Sequence, residues 1–297
     1  MHELTLDEAT LQGWEGRQTV VSDTISVATC EHMRSTLGSM QSDSLAEGTP
    51  LPPLWHWMYF HSPIPTDELG PDGHEQLGSF LPPVDLPRRM WAGGRINFYA
   101  PLIIGKQGTR KSTILSVTRK RGSSGELCFI TVEHVITIEG QVCLTEQHDI
   151  VQREGGDTGV LNDEDDQIAT HNIPLIQETA TPDHWRITPS VALLFRYSAM
   201  TFNSHRIHYD RVYCKHSEGY PGLVFHGPLT ATLMAHLAVE SGIEKQLKSF
   251  EFKALRPLFD KEPFEIRLER DINAARLMAL TPDGETAMQA IADFNVK

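Results

Sequence analysis

An amide, Asn203, stands five residues before an imidazole, His208, in the run Tyr197-Ser-Ala-Met-Thr-Phe-Asn-Ser-His-Arg-Ile-His-Tyr-Asp210. Sixteen residues further on, His226-Gly227-Pro228 opens an apolar stretch. These residue types suit the handling of a water molecule beside a polarised carbonyl. Imidazole has the side-chain pKa nearest neutrality, so His208 is the candidate acid–base group. The amide of Asn203 can hold water as donor or acceptor. Proline favours a first helical position, so Gly227 lies where free N–H groups point outward with the positive end of a helix dipole. A glycine there lets a carbonyl approach closely. Each feature also has a plainer reading, as a structural loop histidine and an ordinary helix start.

The same run could be read as a metal site, with His205, His208, Asp210 and His216 as ligands. His-x-x-His spacing suits one helical turn, but Phe202 to Ile207 reads as loop and no third ligand has a recognised spacing. No metal is expected. Asp210 is better placed to cap the short segment that follows.

The elements that must hold these residues alternate between sheet and helix. Asp7 to Trp14 reads as a short helix, Val20 to Val27 as a strand, and Ala28 to Leu37 as a second helix. Residues 47–87 are rich in proline and glycine and read largely as loop, although Leu54-Trp-His-Trp-Met-Tyr-Phe60 is apolar enough to pack inward. Strand patterns then cover Arg95–Tyr99, Lys111–Lys120, Glu126–Glu139 and Gln141–Val151, separated by glycine turns: an antiparallel meander. Residues 156–182 read as a linker between a first unit, 1–155, and a second, 183–297. In the second, Val191 to Arg196 reads as a strand, followed by the motif loop and a helix from Gly227 to about Ser241. Leu229, Leu233, Met234, Leu237 and Ala238 give that helix a buried face. Strands follow near Glu251–Leu255, Phe264–Asp271, Arg276–Thr281 and Glu285–Phe294.

The two units repeat their order of parts. Ile96-Asn-Phe-Tyr-Ala-Pro-Leu102 and Phe252-Lys-Ala-Leu-Arg-Pro-Leu258 each lead a strand into Pro-Leu. Pro52-Pro-Leu-Trp-His-Trp57 takes the place of Tyr220-Pro-Gly-Leu-Val-Phe225. At 297 residues the chain can bury a large core, and its 40% hydrophobic and 22% charged residues are ordinary for a globular protein. The net charge of −13 argues against nucleic acid or an anionic membrane as partner. The acidic run 162–167 reads as a solvated loop. Four dispersed cysteines fit buried thiols in a reducing compartment. With an acidic start and no apolar run of membrane length, the expectation is a soluble, cytoplasmic chain.

Ser198 to Asp210 followed by His226-Gly227 resembles the MaoC-like hydratase motif, in which Asp-x-Asn-Pro-x-His precedes a His-Gly at the start of a central helix. The fuller form resembles the branch of hydroxyacyl-thioester dehydratase type 2 and of mesaconyl-C4-CoA or itaconyl-CoA hydratases, as does Met90-Trp-Ala-Gly-Gly-Arg95. The resemblance spans the chain and implies an α+β double hot-dog fold: two antiparallel sheets, each wrapped around a central helix. It departs from the broader motif where Asn203 replaces the aspartate and His205-Arg206 replaces Asn-Pro. An amide is no base at neutral pH, so proton chemistry falls on His208.

The resemblance also implies reversible hydration of an α,β-unsaturated acyl-CoA, with His208 as base and acid, Asn203 positioning water and the Gly227 N–H polarising the thioester. The substrate implied is short, branched and dicarboxylic, such as mesaconyl-C4-CoA or itaconyl-CoA, giving citramalyl-CoA. A medium-chain 3-hydroxyacyl thioester is the alternative within the same reaction. A hot-dog thioesterase and a non-catalytic acyl-CoA-binding module are the rivals. No cofactor beyond the substrate's coenzyme A is expected, and a homodimer is compatible. Arg88, Arg89, Arg95, Arg206 and His226 are candidate substrate contacts, the arginines for phosphate or carboxylate. Only one copy of the motif is present, so one active site per chain is expected, with the first unit shaping the acyl pocket.

Overall fold

The computed structural model describes residues 8–38, 45–122, 125–155, 174–179, 181–241 and 246–295. The acidic run 162–167 and most of the expected linker 156–182 lie outside them.

A short helix, α1 (Glu8–Gln12), leads into β1 (Gln18–Thr24) and α2 (Val27–Leu37). The strand stops short of Val27 because Ser26 caps α2, its hydroxyl accepting from the Thr29 N–H at 3.2 Å. Four long strands follow after residue 87: β2 (Arg88–Phe98), β3 (Gln107–Gly122), β4 (Gly125–Ile138) and β5 (Gln141–Arg153). Their alternation sets which face is inside. In β4, Cys128, Ile130, Val132, His134, Ile136 and Ile138 are buried while the residues between them are not.

The second half runs β6 (Ile176–Glu178), β7 (His184–Ile187), α3 (Val191–Met200), α4 (Arg211–Tyr213), α5 (Gly227–Glu240), β8 (Leu247–Ala254), β9 (Phe264–Arg270), β10 (Ala274–Leu280) and β11 (Thr286–Phe294). One expectation fails here. Val191 to Arg196, read as a strand, is the first part of α3. Ser190 caps it, accepting from the Leu193 N–H at 3.2 Å, and Leu193, Leu194, Tyr197 and Ser198 form a buried helical stripe. An apolar run of five residues has too little length to show its period.

All strands join one 11-stranded sheet in the order β1-β3-β4-β5-β2-β8-β11-β10-β9-β7-β6. Leaving out the short edge strand β6, the first, third, fourth, fifth and second strands of each half lie side by side, so the repeat seen in the sequence is a repeat of topology. The halves meet where β2 pairs antiparallel with β8, Ile96 opposite Phe250. Two glycines permit that seam. A Cβ at Gly93 would lie 2.6 Å from the Phe252 carbonyl oxygen, and one at Gly94 2.9 Å from the Phe252 ring. This gives the Gly-Gly of Met90 to Arg95 a packing reason.

The interiors of the halves differ. In the second, α5 runs along β8, β9, β10 and β11, with every residue from Leu229 to Ala238 buried. In the first, the described residues before the second strand hold two short 3-10 turns, Trp55–Met58 and Thr66–Glu68, and Trp55 Nε1 donates to His236 Nε2 of α5 at 2.7 Å. Where the resemblance led us to expect a central helix in each half, the first half carries this aromatic plug. Its interior is also polar. Glu146, only 2% exposed, lies 3.0 Å from His56 Nε2 and accepts from Trp57 Nε1 at 2.8 Å. No helix among the described residues is long and apolar enough to cross a membrane.

Candidate active site

The catalytic segment starts where α3 stops. The Asn203 N–H bonds the Ser198 carbonyl at 2.8 Å and the Phe202 N–H bonds that of Ala199 at 3.3 Å. This pairing is a Schellman cap, and its left-handed position, usually glycine, is Phe202 at φ 49°. The Asn203 Oδ1 then accepts from the His205 N–H at 3.0 Å, so the amide turns the chain. With that oxygen engaged, its NH2 is the group left to hold water. A 3-10 turn, Arg206–His208, delivers His208.

His208 is held in one orientation. Its Nδ1 lies 2.8 Å from the Val224 carbonyl oxygen, which can only accept, so Nδ1 carries the proton and Nε2 presents a lone pair. Its ring stacks on His226 with centroids 3.7 Å apart and planes at 17°. Burial pushes its pKa down to about 4, so the ring is neutral at ordinary pH. That is the protonation state a base requires.

Four of the other expected residues are engaged by side chains of the protein itself. His226 is 0% exposed, its Nε2 lies 2.8 Å from Ser198 Oγ and its ring backs that of His208. Arg95 faces outward from β2 in a two-pronged pair with Asp149, at 2.7 and 3.0 Å. Arg206 grips Asp210 at 2.8 Å, donates to the Pro71 carbonyl at 3.0 Å and lies over the Tyr213 ring. Arg88 pairs with Glu218 at 3.1 Å, both nearly buried. Asp210 caps the next helix, as expected, accepting from the Tyr213 N–H at 2.9 Å.

Gly227 is the first residue of α5, and His226, Gly227 and Pro228 bring its N–H beside the His208–His226 stack. A Cβ placed on Gly227 would meet the Met288 methyl at 3.8 Å, an ordinary contact, so the side-chain direction there is not crowded. The helix dipole adds positive potential there.

Sequence reasoning missed the other wall. The turn Pro71-Asp72-Gly73-His74, from the proline-rich stretch of the first half, lies across the catalytic loop. The Arg206 N–H bonds the Asp72 carbonyl at 2.9 Å, and the Ser204 hydroxyl donates to the Gly73 carbonyl. Gly73 has φ +87°, and a Cβ there would fall 2.0 Å from the Ser204 carbonyl oxygen. Asp72 Oδ2 accepts from His74 Nδ1 at 2.9 Å, and the His74 ring sits 4.1 Å from that of His205. His205 in turn lies 5.6 Å from His208. Burial lowers the pKa of His74 and His205 alike, with nearby positive groups adding to it. Asp72, His74 and His205 bring their donor atoms within 4.8 Å of one another, a different group from the His205, His208, Asp210 and His216 weighed as metal ligands. The Pro-Asp-Gly turn signature was the available signal.

A family model of hydroxyacyl-thioester dehydratase type 2 matches residues 54–260, more than half of the chain. The chain belongs to that family. A mesaconyl-C(4)-CoA hydratase of Chloroflexus aurantiacus is 41% identical over 289 residues, covering 97% of this chain and 99% of the relative. A mitochondrial hydroxyacyl-thioester dehydratase type 2 of Schizosaccharomyces pombe is 30% identical, covering 83% of this chain and 88% of its own. Among solved structures, a MaoC-like dehydratase aligns with a TM-score of 0.68 at 14% identity, over 97% of this chain and 100% of that one. A Mycobacterium tuberculosis protein with a double hotdog fold aligns at 0.56 and 10% identity, over 94% and 96%. The fold of this family member is therefore the double hot-dog. Like the named hydratase and dehydratase, it is a hydro-lyase.

Proposed function

We propose that this family member reversibly hydrates a short, branched, dicarboxylic enoyl-CoA of the mesaconyl-C4 type. The observation that carries the reading is His208, neutral, oriented by Val224 and stacked on His226 at the α5 N-terminus. The 41% identity to a mesaconyl-C(4)-CoA hydratase supports the choice of acyl group. In the forward direction the Asn203 amide holds the water and His208 Nε2 takes one of its protons. The oxygen bonds to C3, the C2–C3 π pair moves toward the thioester, and the Gly227 N–H stabilises the enolate oxygen. Protonated His208 then gives its proton to C2, which restores the neutral ring and the carbonyl. Dehydration is the reverse. The second unit supplies these groups, and the first covers the acyl side.

Purified protein incubated with mesaconyl-C4-, itaconyl- and crotonyl-CoA tests this. We expect the enoyl-thioester absorbance to fall with no release of free thiol, most rapidly for the mesaconyl ester. Release of CoA would assign a thioesterase, and binding without turnover a non-catalytic module. His208→Ala should lower turnover by at least about 100-fold while the thermal transition persists. Near-normal turnover in that variant overturns the assignment.

A further inference from the structure

Arg89, the remaining arginine expected at the site, has its nearest charged partner in Asp72 Oδ2, 3.9 Å away in the turn of the first unit. What orients the base lies closer to it. Among the described residues the His208 ring makes one hydrogen bond, from Nδ1 to the Val224 carbonyl. A ring held at one atom can pivot about that bond, so the direction of Nε2 needs a second constraint. The stack on His226 supplies it, with centroids 3.7 Å apart and planes at 17°. For that to work, His226 must itself be fixed. Its Nδ1 has no partner among the described residues, and its Nε2 meets Ser198 Oγ at 2.8 Å. The Ser198 hydroxyl is therefore the single polar tether of that ring.

The backbone of His226 is held separately. Its carbonyl accepts from the Thr230 N–H at 3.0 Å and from Thr230 Oγ1 at 3.2 Å, in the first turn of α5. What remains to be set is the plane of the ring, and Tyr197, edge-on with centroids 4.9 Å apart, closes one more side of it. Ser198 also works through its backbone. Its carbonyl accepts from the Asn203 N–H at 2.8 Å and from Thr201 Oγ1 at 3.5 Å. One residue in the last turn of α3, only 7% exposed, is thus bonded through its carbonyl to Asn203 and through its hydroxyl to the ring that backs His208. The amide assigned to the water and the base assigned to its proton are referenced to one point in the fold.

We infer that Ser198 is a positioning residue for the hydration, setting the plane of the His208 ring through His226. The inference rests on the hydration reading above. Ser198 needs no contact with substrate for this, since its hydroxyl acts through one ring upon the next. Its carbonyl survives any substitution, so side-chain variants test the tether to His226 alone.

Ser198→Ala removes the tether and adds nothing. We expect kcat for mesaconyl-C4-CoA to fall roughly 10- to 100-fold with KM within about threefold, because the base is misaimed while the binding surface is unchanged. Ser198→Thr keeps the hydroxyl and should return kcat to within about threefold of wild type. Ser198→Cys, similar in size and a weak donor, should follow the alanine variant and serves in its place should that one lose its thermal transition. Ser112→Ala is the control. It removes an equally buried serine–histidine bond, Ser112 Oγ to His134 Nδ1 at 2.7 Å, inside the first unit. Its kcat should stay within about twofold of wild type. The ring-proton resonances of His208 in the histidine-labelled full chain, assigned with His208→Gln, give a readout without turnover. The face of the His226 ring shields them, so they should move downfield in Ser198→Ala and stay in place in Ser112→Ala. Unmoved His208 resonances, a loss confined to KM, or equal kcat in Ser198→Ala and Ser112→Ala would overturn the positioning role. Failure of the hydration reading shows separately, as mesaconyl-C4-CoA left unconverted by the wild-type protein while the His208 resonances still answer to Ser198→Ala.

Discussion

Replacing Gly73 by alanine tests whether the Pro71–His74 turn is part of the catalytic machinery. The new Cβ would fall 2.0 Å from the Ser204 carbonyl oxygen, and the backbone stays at φ +87°. The left-handed conformation costs a non-glycine residue about 1–2 kcal/mol. The clash is with backbone, so it is relieved only by lifting the turn from the catalytic loop. Lifting it breaks the Ser204–Gly73 and Arg206–Asp72 hydrogen bonds, each worth about 1 kcal/mol. The total is roughly 3–4 kcal/mol, and the displaced loop carries His205 and His208 with it. Gly140→Ala is the control, since Gly140 has φ +83° with nothing within 4 Å of a built Cβ. Both variants bear the conformational cost, and only Gly73→Ala bears the clash. Urea midpoints and kcat/KM for mesaconyl-C4-CoA should then separate them, with Gly140→Ala near wild-type activity and Gly73→Ala at least about 10-fold down. If the two variants match in both measurements, the turn is only a surface loop.

Two further outcomes follow from buried charge. Burial holds His208 and His236 neutral, lowering their pKa from the ordinary imidazole value of 6.5 to about 4. The unfolded chain takes up protons in that window and the folded chain does not, so stability should be flat above about pH 6.5 and fall on acidification toward 4. Each histidine contributes on the order of 3 kcal/mol to that fall, and urea midpoints between pH 4.5 and 7.5 check it. Stability that holds or rises toward pH 4.5 would contradict the assignment. Burial alone would raise the pKa of Glu146, but His148 and His56 hold it well below the usual carboxylate range. Glu146→Ala leaves His56 and Trp57 without their partner and should cost about 3–5 kcal/mol, read as a lower unfolding midpoint.

The sequence by itself determined the candidate segment and the sheet. Strand alternation, glycine turns and the Asn203–His208 spacing are local properties, set by which face of a strand must be dry and how a backbone can turn. The repeated strand-to-Pro-Leu junctions at Pro101 and Pro257 were legible for the same reason. Val191 to Arg196 was misread because five apolar residues and an arginine fit helix or strand equally, and the deciding Ser190 cap is a single hydrogen bond. Tertiary structure alone decided which arginines are already paired, because pairing depends on carboxylates such as Asp149 and Glu218 brought in from distant strands and turns. It alone brought Gly73 onto Ser204, across 131 residues of chain. No periodicity encodes such a contact. It exists because two halves with the same strand order meet at Gly93 and Gly94, and because an Asp-Gly turn with no side chain at its centre fits against the catalytic loop.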